Sequence, residues 1–329
     1  MKNFFSTIIG IISLSLILAS CNQAATQNGT TTDTKESSST TTNVSAGPDL
    51  TKLPLGDKKY STSAKKGYIY MCNTRFDGGG AFAQGPWINS TAKTWDLTKK
   101  VSVDGNVSWS NATWKVSKDG ETRMLVGNGL PVNHKTGTYP VASSDDAYQY
   151  DRNPNSIKSQ TVNLSLPANP TVLGAAECVG GEVGIMLSGI PIFNGFDAGG
   201  RDAAAWEVQD TCEGHPQVSG QYHYHSYSSC LKDDTAKNEH SELVGYAFDG
   251  FGIYGLKGEN GSVLSSADLD ECHGHTHEIM WDGKKVSMFH YHMTNDFPYS
   301  VGCFRGKASV KQAMQGGPPP GGMGGPPRR

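Results

Sequence analysis

The residues best suited to chemistry in this chain are paired imidazoles. Gly220-Gln221-Tyr222-His223-Tyr224-His225 alternates aromatic and histidine at period two. A strand sends alternate residues to opposite faces, so Tyr222 and Tyr224 face a core while His223 and His225 share the other side. Phe289-His290-Tyr291-His292 repeats the pattern later in the chain. A neutral imidazole offers one lone pair and is the commonest metal-ligating side chain. Two His-x-His strands lying side by side would hold zinc or copper and leave a position open for water. His223, His225, His290 and His292 are therefore the expected ligands, presented together by neighbouring strands. Without a metal, the same four would form the wet face of an antiparallel sheet, bonded to tyrosines and carboxylates.

Nine of the ten histidines fall between His215 and His292. His273 and His275 belong to Cys272-His273-Gly274-His275-Thr276-His277, where the glycine favours a loop passing close to a ligand over a strand. His215 sits in a Gly-His-Pro turn, where it either ligates, acts as an acid/base or caps the turn. Asp249 closes an apolar strand, and a carboxylate there is placed to orient a ligand histidine or simply to form the turn. Asp268, Asp270 and Glu271 lack the glycine and distal glutamate of a calcium loop. Gly250 to Gly255 fits G-x-G-x-x-G, yet a hairpin turn follows where a phosphate-binding helix would start. His277-Glu278 lacks the second histidine of a zinc-protease helix, and neither a P-loop nor a nucleophile elbow is present.

The elements that must position these groups read as strands. Gly67 to Cys72, Val107 to Val116, Arg123 to Val126, Gln160 to Leu166, Val183 to Leu187, Leu243 to Phe248 and Lys285 to His292 are short and β-branched or aromatic, with Gly, Pro, Asn and Asp turns between them. Helical periodicity is confined to Gly199 to Gln209, where Ala203-Ala204-Ala205-Trp206 favours a turn or two. The expected fold is all-β: a single disulfide-stapled, sandwich-like domain with long loops and little helix. Cys72, Cys178, Cys212, Cys230, Cys272 and Cys303 form an even set for an oxidising compartment. Spacing leaves connectivity open, but Cys212 and Cys230 flank the first histidine strand and Cys272 and Cys303 the second, so each pair is expected to staple its own strand, with Cys72 left for Cys178.

The chain begins with a short basic opening, an apolar run from Phe4 to Leu18 and then Leu18-Ala19-Ser20-Cys21. This reads as a signal peptide over 1–20 ending in a segment that resembles a bacterial lipobox. Cys21 would carry the lipid, including palmitate, and tie the mature chain to a membrane. Asn22 after the cysteine favours the outer membrane of a two-membrane cell, facing the periplasm or the exterior. Residues 21–66 are Ser/Thr-rich and read as a disordered tether, 67–310 as the domain, and the Gly/Pro-rich 311–329 as a disordered tail. The net charge of -3, with no long charged run, gives no reason to expect nucleic acid as a partner.

Asn128-Gly129-Leu130-Pro131 with His134, Asn153-Pro154-Asn155, Gly189 to Asn194, Asp210-Thr211-Cys212-Glu213-Gly214-His215-Pro216 and Gly220 to His225 resemble consecutive landmarks of the YHYH-domain family. Leu243 to Gly255, Leu269 to Cys272, Phe289 to His292, Phe297-Pro298-Tyr299 and Gly302 to Gly306 continue the order. The chain departs from that pattern at Gly252, where proline is expected, and at Phe289, where tyrosine is. The resemblance implies domain identity and does not specify an activity. Function must come from the residues: an extracytoplasmic, lipid-anchored metal-binding module; a metal-dependent hydrolase or oxidase with one open coordination position; or a structural or adhesive lipoprotein without metal.

Overall fold

The computed structural model describes residues 45–235 and 239–309. The signal peptide, Cys21 and the whole of the tail fall outside them. Five two-residue strands come first: β1 (Leu53–Pro54), β2 (Tyr60–Ser61), β3 (Ile69–Tyr70), β4 (Ile88–Asn89) and β5 (Thr94–Trp95). β1 pairs with β5, and Leu53 and Leu55 are buried in the core. The folded domain thus reaches upstream of Gly67, into the stretch expected to be tether. The few apolar residues of that segment are enough to anchor it because β5 supplies their backbone partner.

Three longer strands, β6 (Trp114–Asp119), β7 (Thr122–Gly127) and β8 (Val162–Pro167), form an antiparallel sheet. In β7, Arg123 and Leu125 alternate with more exposed neighbours and face inward. The Arg123 guanidinium lies 4.7 Å from the Tyr246 ring and 4.8 Å from that of Trp281, and ion-pairs with Asp282.

The remaining strands are β9 (Glu182–Met186), β10 (Pro191–Phe193), β11 (Gly214–Pro216), β12 (Tyr222–Tyr224), β13 (Leu243–Ala247), β14 (Gly252–Tyr254), β15 (Gly274–Trp281) and β16 (Lys284–His292). They make one mixed sheet in the order β11-β12-β10-β9-β13-β14-β16-β15. Among the described residues a single short α-helix, α1 (Ala203–Trp206), is capped by Asp202, whose carboxylate accepts from Ala205 N. Nearly all of the ordered structure is therefore strand and turn, as expected, and the helical candidate shrinks to four residues. The stretch from Gly274 to His277 is not a loop: Gly274 opens β15, and a Cβ there would overlap the Phe289 ring and the His290 carbonyl. The glycine marks a close backbone approach within the sheet.

The strand order is a palindrome. The hairpin β9–β10 matches β13–β14, and β11–β12 matches β15–β16. Pro191 pairs with Ile185 as Gly252 pairs with Tyr246, and Ile192 with Gly184 as Ile253 with Gly245. β10 runs parallel to β12 as β14 does to β16, with Ile192 opposite Tyr224 and Ile253 opposite Tyr291. Gly214, His215 and Pro216 pair with Tyr224, His223 and Tyr222; Gly274, His275 and Thr276 pair with Tyr291, His290 and Phe289. The two units meet at β9 and β13, where Ile185 faces its own counterpart Tyr246. A pseudo-twofold axis passes through that pair.

Each unit carries the same brace. Asp210 accepts from Cys212 N and Gly214 N, and Asp270 from Cys272 N and Gly274 N. Glu213 and His273, which follow the cysteines, both adopt positive φ. The disulfides Cys212–Cys230 and Cys272–Cys303 each tie their turn to a later segment, and Cys72–Cys178 is the third. Closing 18 and 31 residues, the paired bridges each stabilise by about 3 kcal/mol in the chain-entropy view. Tyr224 bonds Ser188, and at the matching place Tyr291 donates to Asp249.

Candidate metal centres

The palindrome decides which histidines meet. Four strands lie between β12 and β16, so at about 4.8 Å per strand their backbones stand on the order of 24 Å apart. His223 and His225 therefore do not join His290 and His292 in a single group. Each pair instead joins the edge strand beside it.

In the first unit, His215 on β11 faces its cross-strand partner His223, and His225 follows just past β12. The three ring centroids lie 4.6 to 5.4 Å apart, and all three residues are buried. The histidine face of this strand is not wet: Phe193 stacks on His223 with centroids 4.1 Å apart. His223 Nδ1 lies 3.2 Å from Gln221 O, and His225 Nδ1 lies 2.6 Å from Asn194 O. A carbonyl only accepts, so both Nδ1 atoms carry the proton and both Nε2 atoms carry a lone pair. Those Nε2 atoms face each other at 3.0 Å.

Two lone pairs at that distance repel unless a proton or a cation lies between them. Burial works against the proton: desolvation pushes His225 down to about 4 and drives His215 and His223 well below the ordinary imidazole value, with the neighbouring histidines adding to the depression at those two. Both ring nitrogens of His215 lack a hydrogen-bond partner, and so does Glu207 Oε2. That oxygen lies 3.6 Å from Nε2 of both His215 and His225. Burial raises the Glu207 carboxyl well above the usual range, with Asp151 and Asp197 adding to it. Three convergent imidazoles and one carboxylate are a complete donor set for a divalent transition metal. They lie at the wall of a cavity of about 1010 Å³, which Arg152, Asn153 and Phe193 also line.

The second unit repeats the core of this arrangement. His275 faces His290 across β15 and β16, with Nε2 atoms 3.1 Å apart. His290 Nδ1 lies 3.1 Å from Met288 O, as His223 does from Gln221 O; His292 Nδ1 lies 2.7 Å from Gly255 O, as His225 does from Asn194 O. His240 and His277 enlarge the group, with Nε2 of His240 3.0 Å from that of His292.

Of the other expected contributors, His273 lies outside both groups. Its positive φ turns it to Thr294, whose hydroxyl is 2.9 Å from Nε2. Asp249 orients no histidine; its carboxylate accepts from Tyr291 OH, Phe251 N and Gly306 N. His134 approaches Cys212 and Cys230, but both sulfurs are bound in the disulfide and offer no thiolate. Glu207 and His240 were not anticipated. The repeated Asp-x-Cys-x-Gly-His at 210–215 and 270–275 was the signal that pairs His215 with His275 and divides the histidines correctly.

The family described as YHYH protein matches residues 163–263. That span takes in the first unit with His215, His223 and His225, and ends before β15. No curated protein and no solved structure matches the chain.

Proposed function

The chain carries a YHYH domain, and we propose that this domain is an extracytoplasmic metal-binding module, tethered to a membrane by lipid on Cys21. His215, His223 and His225, with Glu207 as fourth donor, hold a transition metal ion, zinc or copper. The observation that carries the reading is the pair of Nε2 lone pairs facing each other at 3.0 Å in a buried setting, beside unpartnered nitrogens of His215 and an unpartnered oxygen of Glu207. Buried polar groups without partners cost roughly 1–3 kcal/mol each. A cation at their centre would satisfy the two facing Nε2 atoms, one nitrogen of His215 and the Glu207 oxygen together.

The cavity beside the cluster favours a second reading, a metal-dependent enzyme. In that reading Glu207 is not a permanent ligand. A bound ion would supply an activated water, and Glu207, whose carboxyl burial pushes upward, would stand beside it as the acid/base. The purified mature chain, solubilised in detergent and stripped with chelator, should take up zinc or copper by elemental analysis, and His223→Ala with His225→Ala should abolish uptake at this site. Glu207→Gln separates the two readings. Weakened retention of the ion identifies a ligand; unchanged retention points to the acid/base role. Folded protein that takes up less than about a tenth of an equivalent of any first-row metal would refute both readings.

A further inference from the structure

We propose that His240, His275, His277, His290 and His292 form a second metal site, an all-imidazole centre distinct in chemistry from the first. One donor nitrogen from each of His240, His275, His277 and His290 falls within 4.8 Å of the others, and His292 Nε2 is 3.0 Å from His240 Nε2. The ring centroids of His275, His277 and His290 are all 4.7 Å apart.

Three observations bear on this, and they are independent of one another. The first is tautomeric. His240, His290 and His292 each direct Nδ1 at a main-chain carbonyl, of Ser241, Met288 and Gly255 respectively. Their Nε2 atoms therefore carry lone pairs, and they turn those lone pairs toward other imidazoles at 3.0 and 3.1 Å. Solvated surface histidines would turn these atoms to water.

The second is the internal repeat. His275, His290 and His292 occupy the places of His215, His223 and His225, with the same carbonyl anchors in register. Around them the two units have diverged: Pro191 against Gly252, Ser188 against Asp249, Glu213 against His273. Packing does not demand imidazole at these positions, since an apolar ring fills the equivalent space at lower desolvation cost. The third is that both ring nitrogens of His277 are buried and without a hydrogen-bond partner.

The donor set fixes the class of ion. Glu207 has no counterpart in this unit; the nearest carboxylate, Glu259 Oε1, is 3.3 Å from His277 Nε2, and the Glu259 side chain is more than half exposed. Imidazole alone suits copper, nickel and zinc, and copper leads that series in affinity, whereas a carboxylate shifts preference toward harder ions. This site thus takes a divalent ion of the class that imidazole suits, with copper the tightest-binding probe. His275 and His277 are partly exposed, so the ion exchanges from the surface of the edge strand and not through the cavity.

The test uses the full mature chain in detergent and two probes, copper(II) and zinc(II). Wild type should bind two equivalents of copper. The pair His275→Ala and His277→Ala, on the partly exposed strand, should lose one equivalent and keep the other, while the pair His223→Ala and His225→Ala should do the reverse. Copper retained in full by the first pair would overturn the inference while leaving the first site standing. A single equivalent in wild type that the first pair abolishes and the second spares would support this site and refute the first. Should the variants misfold, electron spin resonance of wild type with one equivalent of copper decides. Hyperfine structure from at least four nitrogens, one more than the imidazoles of the first cluster supply, supports the site; its absence at both one and two equivalents overturns it.

Discussion

Acidification isolates the cost of keeping these histidines neutral, and His225 is the best place to measure it. Its folded form titrates at about 4 against an ordinary 6.5, first because of burial. Above pH 7 both folded and unfolded chains are neutral at this position and stability is unaffected. Between 6.5 and about 4 only the unfolded chain takes the proton, so stability falls as pH falls, by about 1.4 kcal/mol per unit in mid-window. From pH 7 to 4.5 the loss comes to roughly 2.5 kcal/mol. Buried carboxyls work in the opposite direction: Asp202, raised to about 7 chiefly by burial, opposes folding at neutral pH and is relieved by acid. The wild-type curve alone is therefore uninformative, and the difference from His225→Asn, which keeps an N–H for the Asn194 carbonyl but cannot titrate, carries the result. Urea unfolding with chelator at pH 7 and pH 4.5 should show the stability gap between the two proteins shrinking or reversing by about 2.5 kcal/mol. Curves that stay parallel within roughly 0.5 kcal/mol would refute the claim that this imidazole is buried and neutral.

Two further outcomes follow from the structure and the sequence. Gly250 has φ +92°, and a Cβ there would lie 2.6 Å from the Pro167 carbonyl, whereas Gly283, at φ +77°, meets open space. Thermal unfolding should place Gly250→Ala about 2–4 kcal/mol below wild type and Gly283→Ala within about 1 kcal/mol of it, the first combining strain and overlap and the second strain alone. For the anchor, mass spectrometry of the mature N-terminal peptide should find a diacylglyceryl Cys21, and Cys21→Ser should move the protein out of the membrane fraction; an unmodified thiol at Cys21 would remove the lipid tether from the proposed function.

The alternation Tyr222-His223-Tyr224-His225 was enough to infer a strand with two faces, and the cysteines flanking it were enough to suggest how it is stapled. Both readings rest on local periodicity, which a sequence displays directly. Which histidines share a site depends on sheet order, and here the decisive contacts are the parallel pairings β10–β12 and β14–β16, made between segments far apart in sequence. The two motifs looked like neighbours because they look alike. They look alike because they occupy equivalent places in the two units, and the pseudo-twofold that relates the units sends them to opposite ends of the sheet. Glu207 and His240 were hidden for another reason: both lie in irregular segments, just past α1 and just ahead of β13, where no period marks a side chain as inward-facing.

The internal repeat also accounts for how one scaffold presents two different sets of donor side chains. What the units share is the rigid part: the Asp-x-Cys-x-Gly-His turn, the disulfide, the hairpin glycine and the two carbonyls that fix each His-x-His tautomer. These set three imidazole rings at similar spacing, with centroids 4.6 to 5.4 Å apart in one unit and 4.7 to 5.0 Å in the other, and leave the remaining donors to whatever enters from outside the repeat. In the first unit the segment carrying α1 delivers Glu207, buried beside a cavity. In the second, the approach to β13 delivers His240 and the longer edge strand β15 delivers His277, both nearer solvent. Both outer imidazoles of the second unit come from where the repeats differ, so the donor set of each cluster is decided by loops and strand ends while the arrangement of its three shared histidines is decided by the sheet.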